Sequence, residues 1–266
     1  MKKHYIELWL LLACAFAIFA VASAFEMPVI AGHQLKSAEI HSHIFGKNET
    51  AVPLDSVGPL TAAAETAEKA PAFPVPCDTA SKTILFIGDS MLEGLGPRMA
   101  AYAHENGHTM YQVTWYSSTS EVWGRSDKLK GYIDRLHPDY VFICLGANEL
   151  FVSDIAAKRD KYVKKIIADI DTIPFLWIGP PNWKKDTGIN DLIRANAPIG
   201  SFFLSDGMHF DRSKDGAHPT RSSAALWMDS VARWMPLHSN HPIRMALPQK
   251  TSARPKRIFV HQPDEK

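Results

Sequence analysis

The sequence is organised around one short apolar run and the turn that ends it. The run Thr83–Ile87 predicts a buried β-strand. It ends at Gly88-Asp89-Ser90, after which the pattern becomes helical. Open α/β sheets place their chemistry on such turns, at the carboxyl ends of strands. Ser90 is therefore a candidate nucleophile. A serine hydroxyl is poorly reactive alone, so it needs a base, a group that orients the base, and donors for an oxyanion.

From Lys82 onward, strand and helix patterns alternate. Five strands are predicted, at Thr83–Ile87, Tyr111–Tyr116, Tyr140–Leu145, Phe175–Ile178 and Ser201–Leu204. Helices are predicted at Met91–Asn106, Ser126–Leu136, Ser153–Ile173, Ile189–Ala195 and from about Arg221 to Trp234. Apolar strands joined by helices indicate a parallel sheet covered on both faces. With right-handed crossovers this gives a flavodoxin-like three-layer α/β/α sandwich with a five-stranded parallel sheet, whose strand-to-helix turns share one edge.

The amino-terminal segment has the pattern of an export signal. Two lysines precede an apolar run from Leu8 to Phe25, and Ala22-Ser23-Ala24 offers small residues to a signal peptidase. The run is also close to the length of a membrane span, about 18 residues. We expect residues 1–24 to be a cleaved signal peptide, with an uncleaved membrane tether as the alternative. Either places the main body in the periplasm or outside the cell, and the exported protein would begin near Phe25.

The rest of the chain divides by composition. Residues 25–80 lack periodicity and predict an irregular arm and linker, residues 81–236 form the α/β domain, and residues 237–266 form a basic, Pro-containing tail that we expect to be mostly disordered. The charge is +1, from 29 basic and 28 acidic residues, without the basic surplus of a nucleic-acid binder. No Cys/His spacing indicates a metal site, no cofactor is expected, and Cys77 and Cys144 are expected to be unpaired.

Three further stretches could complete a serine mechanism. Asn148 follows the third strand after a glycine, and its amide could donate to an oxyanion or could instead cap a helix. Asp215 and His218 lie three residues apart on a tight loop, where the carboxylate could orient the imidazole. The alternative for that loop is a turn with a helix cap. Ser118 and Thr119 follow the second strand, and a backbone N–H there could join the oxyanion hole.

These motifs, in this order, resemble the SGNH/GDSL hydrolase superfamily. The similarity covers roughly Lys82 to Met235 and consists of Gly-Asp-Ser, Gly-x-Asn and Asp-x-x-His-Pro. It implies a flavodoxin-like fold and a serine esterase or acyltransferase. The family's pattern makes Ser90 the nucleophile, His218 the base and Asp215 its orienting acid. The Asn148 amide and the Ser90 backbone N–H would bind the oxyanion.

The sequence departs from the family's pattern at two positions. Where the family usually has a glycine donor after the second strand, this chain has Ser118-Thr119, and Glu149 stands where an aspartate usually follows the asparagine. A backbone N–H survives at any residue except proline, so a donor remains available at Ser118 or Thr119.

A second Asp-x-x-His, Asp206 to His209, competes with Asp215 and His218. We favour the later pair because Pro219 and Thr220 follow it and lead directly into a helix. His209 could instead line the pocket.

Other residues are assigned by position. Asn182 and Trp183 follow the fourth strand at the same edge and are expected to line the substrate pocket, since an aromatic ring can stack on a sugar or cover an acyl chain. Asp89 is expected to shape its turn, and Arg98 to lie on the surface of the first helix.

The resulting hypothesis is an exported serine esterase. It would remove or transfer a small acyl group, with acetyl as the expected one, on a cell-envelope or extracellular glycan or another acylated small molecule. A lipase or lysophospholipase of the same fold is the first alternative, and the lack of a long apolar lid in the sequence weighs against it. A non-catalytic, membrane-tethered binding module is the second. The complete Ser/His/Asp set weighs against that one.

Overall fold

The computed structural model describes residues 29–30, 33–34, 75–205 and 207–263. The chain divides into two units, Met1–Glu65 and Thr66–Lys266. In the first, strands β1 (Val29–Ile30) and β2 (His33–Gln34) pair antiparallel. The predicted signal segment, residues 1–24, and most of the predicted arm lie outside the described residues.

A parallel sheet forms the centre of the second unit. Its strands are β3 (Thr83–Gly88), β4 (Thr109–Trp115), β5 (Tyr140–Cys144), β6 (Phe175–Ile178), β7 (Phe202–Phe203) and β8 (Arg257–His261). Their order across the sheet is β7-β6-β5-β3-β4-β8, and every neighbouring pair is parallel. The five predicted strands are all present, and the sheet has one more than predicted.

Helices cover both faces of this sheet. They are α1 (Leu92–Glu105), α2 (Ser120–Arg125), α3 (Lys128–Leu136), α4 (Ile155–Ile170), α5 (Ile189–Asn196) and α6 (Arg221–His238). In β3, Ile84 and Phe86 pack with buried residues of α1 and α6, while Leu85 and Ile87 pack with those of α2 to α5. Alternate side chains of a strand point to opposite faces, so the central strand feeds two cores. The predicted three-layer α/β/α sandwich is confirmed.

The sixth strand comes from the segment that we expected to be a disordered tail, and that expectation is wrong for residues 239–263. Ile243 is buried, and the Arg244 N–H donates to the Asp78 carbonyl at 2.9 Å. Further along, β8 pairs with β4, and Trp115 Nε1 donates to the Gln262 carbonyl at 2.9 Å. β8 is an edge strand with mostly exposed residues, so it lacks the continuous apolar run that reveals a central strand.

Arg98 is a second correction, because it is buried rather than on the surface. Its Nε donates to Asp229 Oδ1 at 2.7 Å, and the Tyr102 hydroxyl donates to the same oxygen at 2.8 Å. Arg98 Nη1 also donates to the Lys250 carbonyl at 2.9 Å. The guanidinium therefore joins α1, α6 and the segment that leads to β8. From the sequence of the helix alone, an arginine that pairs with a distant, buried carboxylate looks the same as an arginine that faces solvent.

The two cysteines agree with the expectation that they are unpaired. Cys77 is exposed, Cys144 is buried, and neither forms a disulfide. Trp115, Trp123 and Trp177 are all buried in the core. Among the described residues, no helix combines the length and the apolar character needed to cross a bilayer.

The strand order identifies the edge of the sheet where a site can form. β3 has β4 on one side and β5 on the other. After β4 the chain therefore crosses back over β3 and adds its next strands on the opposite side of the sheet. At such a reversal the loops at the carboxyl ends of adjacent strands diverge and leave a crevice. The turns that follow β3, β4 and β5 carry Ser90, Thr119 and Asn148 respectively.

Candidate active site

The turn after β3 depends on a close backbone contact. A Cβ on Gly88 would lie 2.4 Å from the Cys144 carbonyl oxygen of β5, a separation that no side chain tolerates. The next N–H, that of Asp89, donates to the same oxygen at 3.3 Å. The Asp89 side chain then accepts from the Met91 N–H at 2.9 Å. Glycine thus lets the strand end against β5, and Asp89 shapes the turn that holds Ser90 at the start of α1.

The loop before α6 forms its own small scaffold. Arg212 and Pro219 form an isolated antiparallel bridge, and the Ser213 N–H donates to the His218 carbonyl at 2.8 Å. Thr220 caps α6, where its hydroxyl accepts from the Ser223 N–H at 3.3 Å. These contacts fix both ends of the loop that carries His218.

Arg212 attaches this loop to the rest of the site, a role the sequence did not reveal. Its Nη1 donates to the Ala217 carbonyl at 2.6 Å. Its Nη2 donates to the carbonyls of Pro181 and Asn182, at 3.0 and 3.1 Å. One guanidinium therefore connects the His218 loop to the turn that follows β6. A guanidinium carries five N–H donors in a rigid planar arrangement, so one arginine can bridge several carbonyls.

Ser90, His218 and Asp215 form one hydrogen-bonded row. His218 Nε2 lies 2.7 Å from Ser90 Oγ, and His218 Nδ1 lies 2.8 Å from Asp215 Oδ2. The other oxygen of Asp215 accepts the N–H groups of Ala217 and His218, at 2.9 and 3.0 Å. These backbone bonds, together with the imidazole, lower the pKa of Asp215 to about 2. The carboxylate is therefore ionised at neutral pH although 51% of its side chain is exposed.

Asn148 joins two of the turns. Gly146 begins its turn with φ of 127°, a conformation that favours glycine, and a short 3-10 helix follows at Ala147–Glu149. Asn148 Nδ2 donates to the Ser118 carbonyl at 2.9 Å and lies 3.5 Å from Asp89 Oδ2. Its amide thus faces the turns after β3 and β4.

The two backbone donors proposed after β4 differ in availability. The Ser118 N–H is already engaged, since it donates to the Trp115 carbonyl at 3.2 Å. Within residues 75–205 and 207–263, by contrast, no hydrogen bond is found for the N–H of Thr119 or that of Ser90. Thr119 is the N-cap of α2, with its hydroxyl turned to the Val122 N–H. The structure therefore favours Thr119 over Ser118 as a backbone donor.

Two alternatives from the sequence lose support. Helix α4 begins only at Ile155, too far along the chain for Asn148 to cap it. His209 is exposed, and the Ser90 hydroxyl pairs with a different histidine. Asp206, the proposed partner of His209, lies outside the described residues.

The expected pocket residues include an aromatic cluster that extends further than predicted. Trp183 is half-buried, and its Nε1 donates to the Ala147 carbonyl at 3.3 Å, which attaches the ring to the Asn148 turn. Phe151, 63% exposed, packs edge-on against Trp183 with 5.4 Å between ring centroids. Lys184 Nζ lies 4.1 Å from the centre of the Phe151 ring. Phe151 could have been identified from the sequence, because it is an aromatic residue only three positions after Asn148. Asn182 is half-buried beside Trp183.

Two carboxyl groups are buried behind the site. Burial raises the pKa of Asp89 to about 7, helped by the nearby Glu149. Burial also raises the pKa of Glu149, opposed by its hydrogen bonds from Ser120. Among all the described residues, these two carboxyl groups included, no group of three or more His, Cys, Asp or Glu side chains is arranged to hold a metal ion.

No family model matches this chain, and no curated protein matches it. It is similar to several solved structures. One is the psychrotrophic esterase EstA from Pseudoalteromonas sp., at 18% identity over 57% of this chain and 97% of that one, with a TM-score of 0.43. Another is a family 3 carbohydrate esterase from Clostridium thermocellum, at 18% identity over 58% and 94%, with a TM-score of 0.43.

A third is a lipase/acylhydrolase from Enterococcus faecalis, at 15% identity over 58% of this chain and 95% of that one, with a TM-score of 0.45. Identities and TM-scores as low as these carry no conclusion about activity.

The buried Asp89 carboxyl predicts a specific pH dependence of stability. Its pKa is about 7 in the folded protein and 3.8 ordinarily, so between these values the native state binds the extra proton. Stability from this group is therefore full below about pH 4 and is lost as pH rises to about 7, by up to about 4 kcal/mol. Asp89→Asn removes the titration. Urea unfolding at about pH 4 and about pH 8 should show the wild type losing stability relative to this variant. A difference that does not change with pH would contradict the prediction.

Proposed function

We propose that this chain is a serine hydrolase of the SGNH/GDSL type. The observation that carries the proposal is the hydrogen-bonded row from Asp215 through His218 to Ser90, with separations of 2.8 and 2.7 Å. A serine, a histidine and a carboxylate in this order have one well-understood chemical use, which is acyl transfer through a serine ester.

In the first step, Ser90 Oγ attacks the carbonyl carbon of an ester. As the O–C bond forms, the hydroxyl proton moves to His218 Nε2, which lies 2.7 Å away. Asp215 accepts the Nδ1–H, so the imidazole presents an unprotonated Nε2 to the serine and its positive charge is stabilised once it forms. The low pKa of Asp215 means that this carboxylate remains charged down to strongly acidic pH.

The negative charge that develops on the carbonyl oxygen needs donors. Two are available where the turns after β3, β4 and β5 meet, the N–H groups of Ser90 and Thr119. The third is the Asn148 Nδ2 group: one of its hydrogens is donated to the Ser118 carbonyl at 2.9 Å, and the other, now 3.5 Å from Asp89 Oδ2, would turn to the oxyanion. The two backbone donors have no competing acceptor in the described part of the chain. Such preorganised donors stabilise the transition state more than the ground state. Loss of a single one typically costs about 100- to 1,000-fold in rate.

In the second step, the leaving alkoxide takes the proton from His218 and departs, leaving the acyl group on Ser90. A water molecule, or the hydroxyl of a second substrate, then attacks the acyl-enzyme with His218 again as base. Hydrolysis and transfer share these steps and differ only in the acceptor. The same residues would therefore serve an esterase or an acyltransferase.

The substrate that we propose is a small acyl ester, an acetyl group on a glycan. The His218 side chain is 37% exposed and that of Asp215 is 51% exposed, so a bulky alcohol could approach the leaving-group side. Phe151 and Trp183 present an aromatic pair beside the Asn148 turn, and such rings stack on the apolar faces of sugars. The sequence has no long apolar insertion that could form a lid over a long acyl chain.

We also propose that the protein acts outside the cytoplasm, with residues 1–24 as a cleaved signal peptide. The support is the sequence of that segment: lysines, then an apolar run, then Ala22-Ser23-Ala24.

The serine mechanism predicts that the triad acts as a unit. Ser90→Ala and His218→Ala should each lower kcat for a short-chain ester by about 1,000-fold or more, and the double variant should lose little beyond either one. Steady-state kinetics on folded proteins checks this. His209→Ala is the matched control, a nearby histidine outside the row, and should keep most activity. A folded Ser90→Ala protein that keeps full esterase activity would overturn the serine mechanism.

The proposed substrate predicts an acyl-length preference. In a series of esters that share one alcohol, kcat/KM should be highest for acetyl and lower by about tenfold or more for octanoyl. A maximum at long chains would support the lipase alternative.

The proposed role of the aromatic pair predicts a separate effect on the glycan. Phe151→Ala should raise KM for an O-acetylated oligosaccharide and leave kcat/KM for a small acetyl ester unchanged.

The export proposal predicts a mature protein that begins near Phe25. Intact mass spectrometry of protein purified from its native host measures this directly. A protein in the membrane fraction that retains Met1–Ala24 would replace the signal peptide with an anchor.

A further inference from the structure

The buried carboxylate of Glu149 contacts the turn that carries Thr119. Its Oε1 accepts both the N–H and the hydroxyl of Ser120, each at 2.5 Å. Its side chain is fully buried. Glu149 follows Asn148 on the turn after β5, and Ser120 follows Thr119 on the turn after β4. The bond therefore joins two segments that each carry a proposed oxyanion donor.

A second connection reinforces the first. Arg159 of α4 pairs through Nη1 with Glu121 Oε2 at 2.6 Å, and its Nε lies 3.9 Å from Glu149 Oε1. Glu149 thus holds Ser120, and Arg159 holds the next residue of α2, Glu121. Helix α2 has only six residues, so it could not fix its own position by its internal hydrogen bonds.

The same junction contains the contact made by Asn148. Its Nδ2 donates to the Ser118 carbonyl at 2.9 Å, and the Ser118 hydroxyl accepts from Trp123 Nε1 at 2.9 Å. The turn after β4 is held on both sides of Thr119, by Asn148 at Ser118 and by Glu149 at Ser120. With a residue on each side fixed, the direction of the Thr119 N–H is fixed as well.

We infer that Glu149 is a positioning residue, which clamps Ser120 so that the Thr119 N–H and the Asn148 amide are held in register for the oxyanion. This inference rests on the proposed hydrolase function. It also connects the two departures from the family's pattern. A chain that has Thr119 where a glycine is usual also has, next to Asn148, the longer acidic side chain that reaches Ser120.

The energetics argue against a purely structural purpose for this carboxylate. Taking an ionised carboxylate out of water is costly, and a well-packed apolar residue of similar volume is often more stabilising than a buried ion pair. One Glu149 oxygen, Oε2, has no hydrogen-bond partner among the described residues. A side chain selected for stability alone would not carry an unpaired oxygen into the core. The fixed geometry of the two turns explains why this side chain is kept despite its cost in stability.

Glu149→Gln is the principal test, because glutamine keeps the shape but replaces the carboxylate by a neutral amide, which accepts the two Ser120 hydrogen bonds more weakly. With an acetyl ester as substrate, kcat per active site should fall about 10- to 100-fold, and KM should change by less than about threefold. Active sites are counted by titrating Ser90 with a phosphonate ester. This count separates misplacement of donors from loss of folded protein.

Ser120→Ala provides a second, milder variant that leaves the Glu149 carboxyl group and the backbone donor in place. It removes one of the two bonds, so kcat should fall about 3- to 10-fold. Combined with Glu149→Gln it should cost less than the product of the two separate losses, because both variants break the same clamp.

Asp229→Asn is the matched control, another carboxylate with low exposure that pairs with arginine, and its partners in the described part of the chain, Arg98 and Tyr102, lie outside the site. It should lower the urea midpoint of unfolding while kcat per titrated site stays at the wild-type value.

The outcomes separate the two proposals. If the wild type turns over no ester, the proposed function fails. If the wild type is active and Glu149→Gln retains full kcat per site, the clamp is wrong and the hydrolase stands. Losses in Glu149→Gln and Ser120→Ala that simply multiply would also overturn the clamp.

Discussion

The close approach of β3 to β5 at Gly88 is the contact on which the site depends. Only the absence of a side chain there allows the Cys144 carbonyl to come so near the turn and to accept the Asp89 N–H at 3.3 Å. Because β5 continues directly into the Gly146 turn, this contact sets the distance between the nucleophile's turn and that of Asn148. A methyl group at Gly88 would separate the two strands just where their ends must converge.

The base is held in a different way, by polar contacts near solvent rather than by burial. Asp215 accepts two backbone N–H groups of its own loop in addition to the imidazole, and Arg212 connects that loop to the turn after β6. A loop held by these hydrogen bonds can thus carry a partly exposed histidine. One half of the site depends on packing and the other on hydrogen bonds that bridge loops.

The sequence predicted the fold and the row Asp215–His218–Ser90 because both leave local signals. Apolar runs mark central strands, and each motif follows one of them. What it could not predict depends on contacts between distant residues. Only the observed hydrogen bond of the Ser118 N–H separates it from Thr119 as a donor. The Glu149–Ser120 and Arg98–Asp229 pairs join residues far apart in the chain, and β8 lacks a buried face that would distinguish it from a polar tail.

The pairing of β8 with β4 has a consequence for how the protein is made. Trp115 and Gln262, which meet at this edge, are 147 residues apart in the chain. At a synthesis rate of about 5–20 residues per second, β4 leaves the ribosome about 7–30 s before its partner strand exists. During that interval β4 is an unpaired sheet edge, the kind of surface on which other chains can add strands. Until β8 arrives, a strand from another chain could add at this edge, on the strand that leads to Thr119.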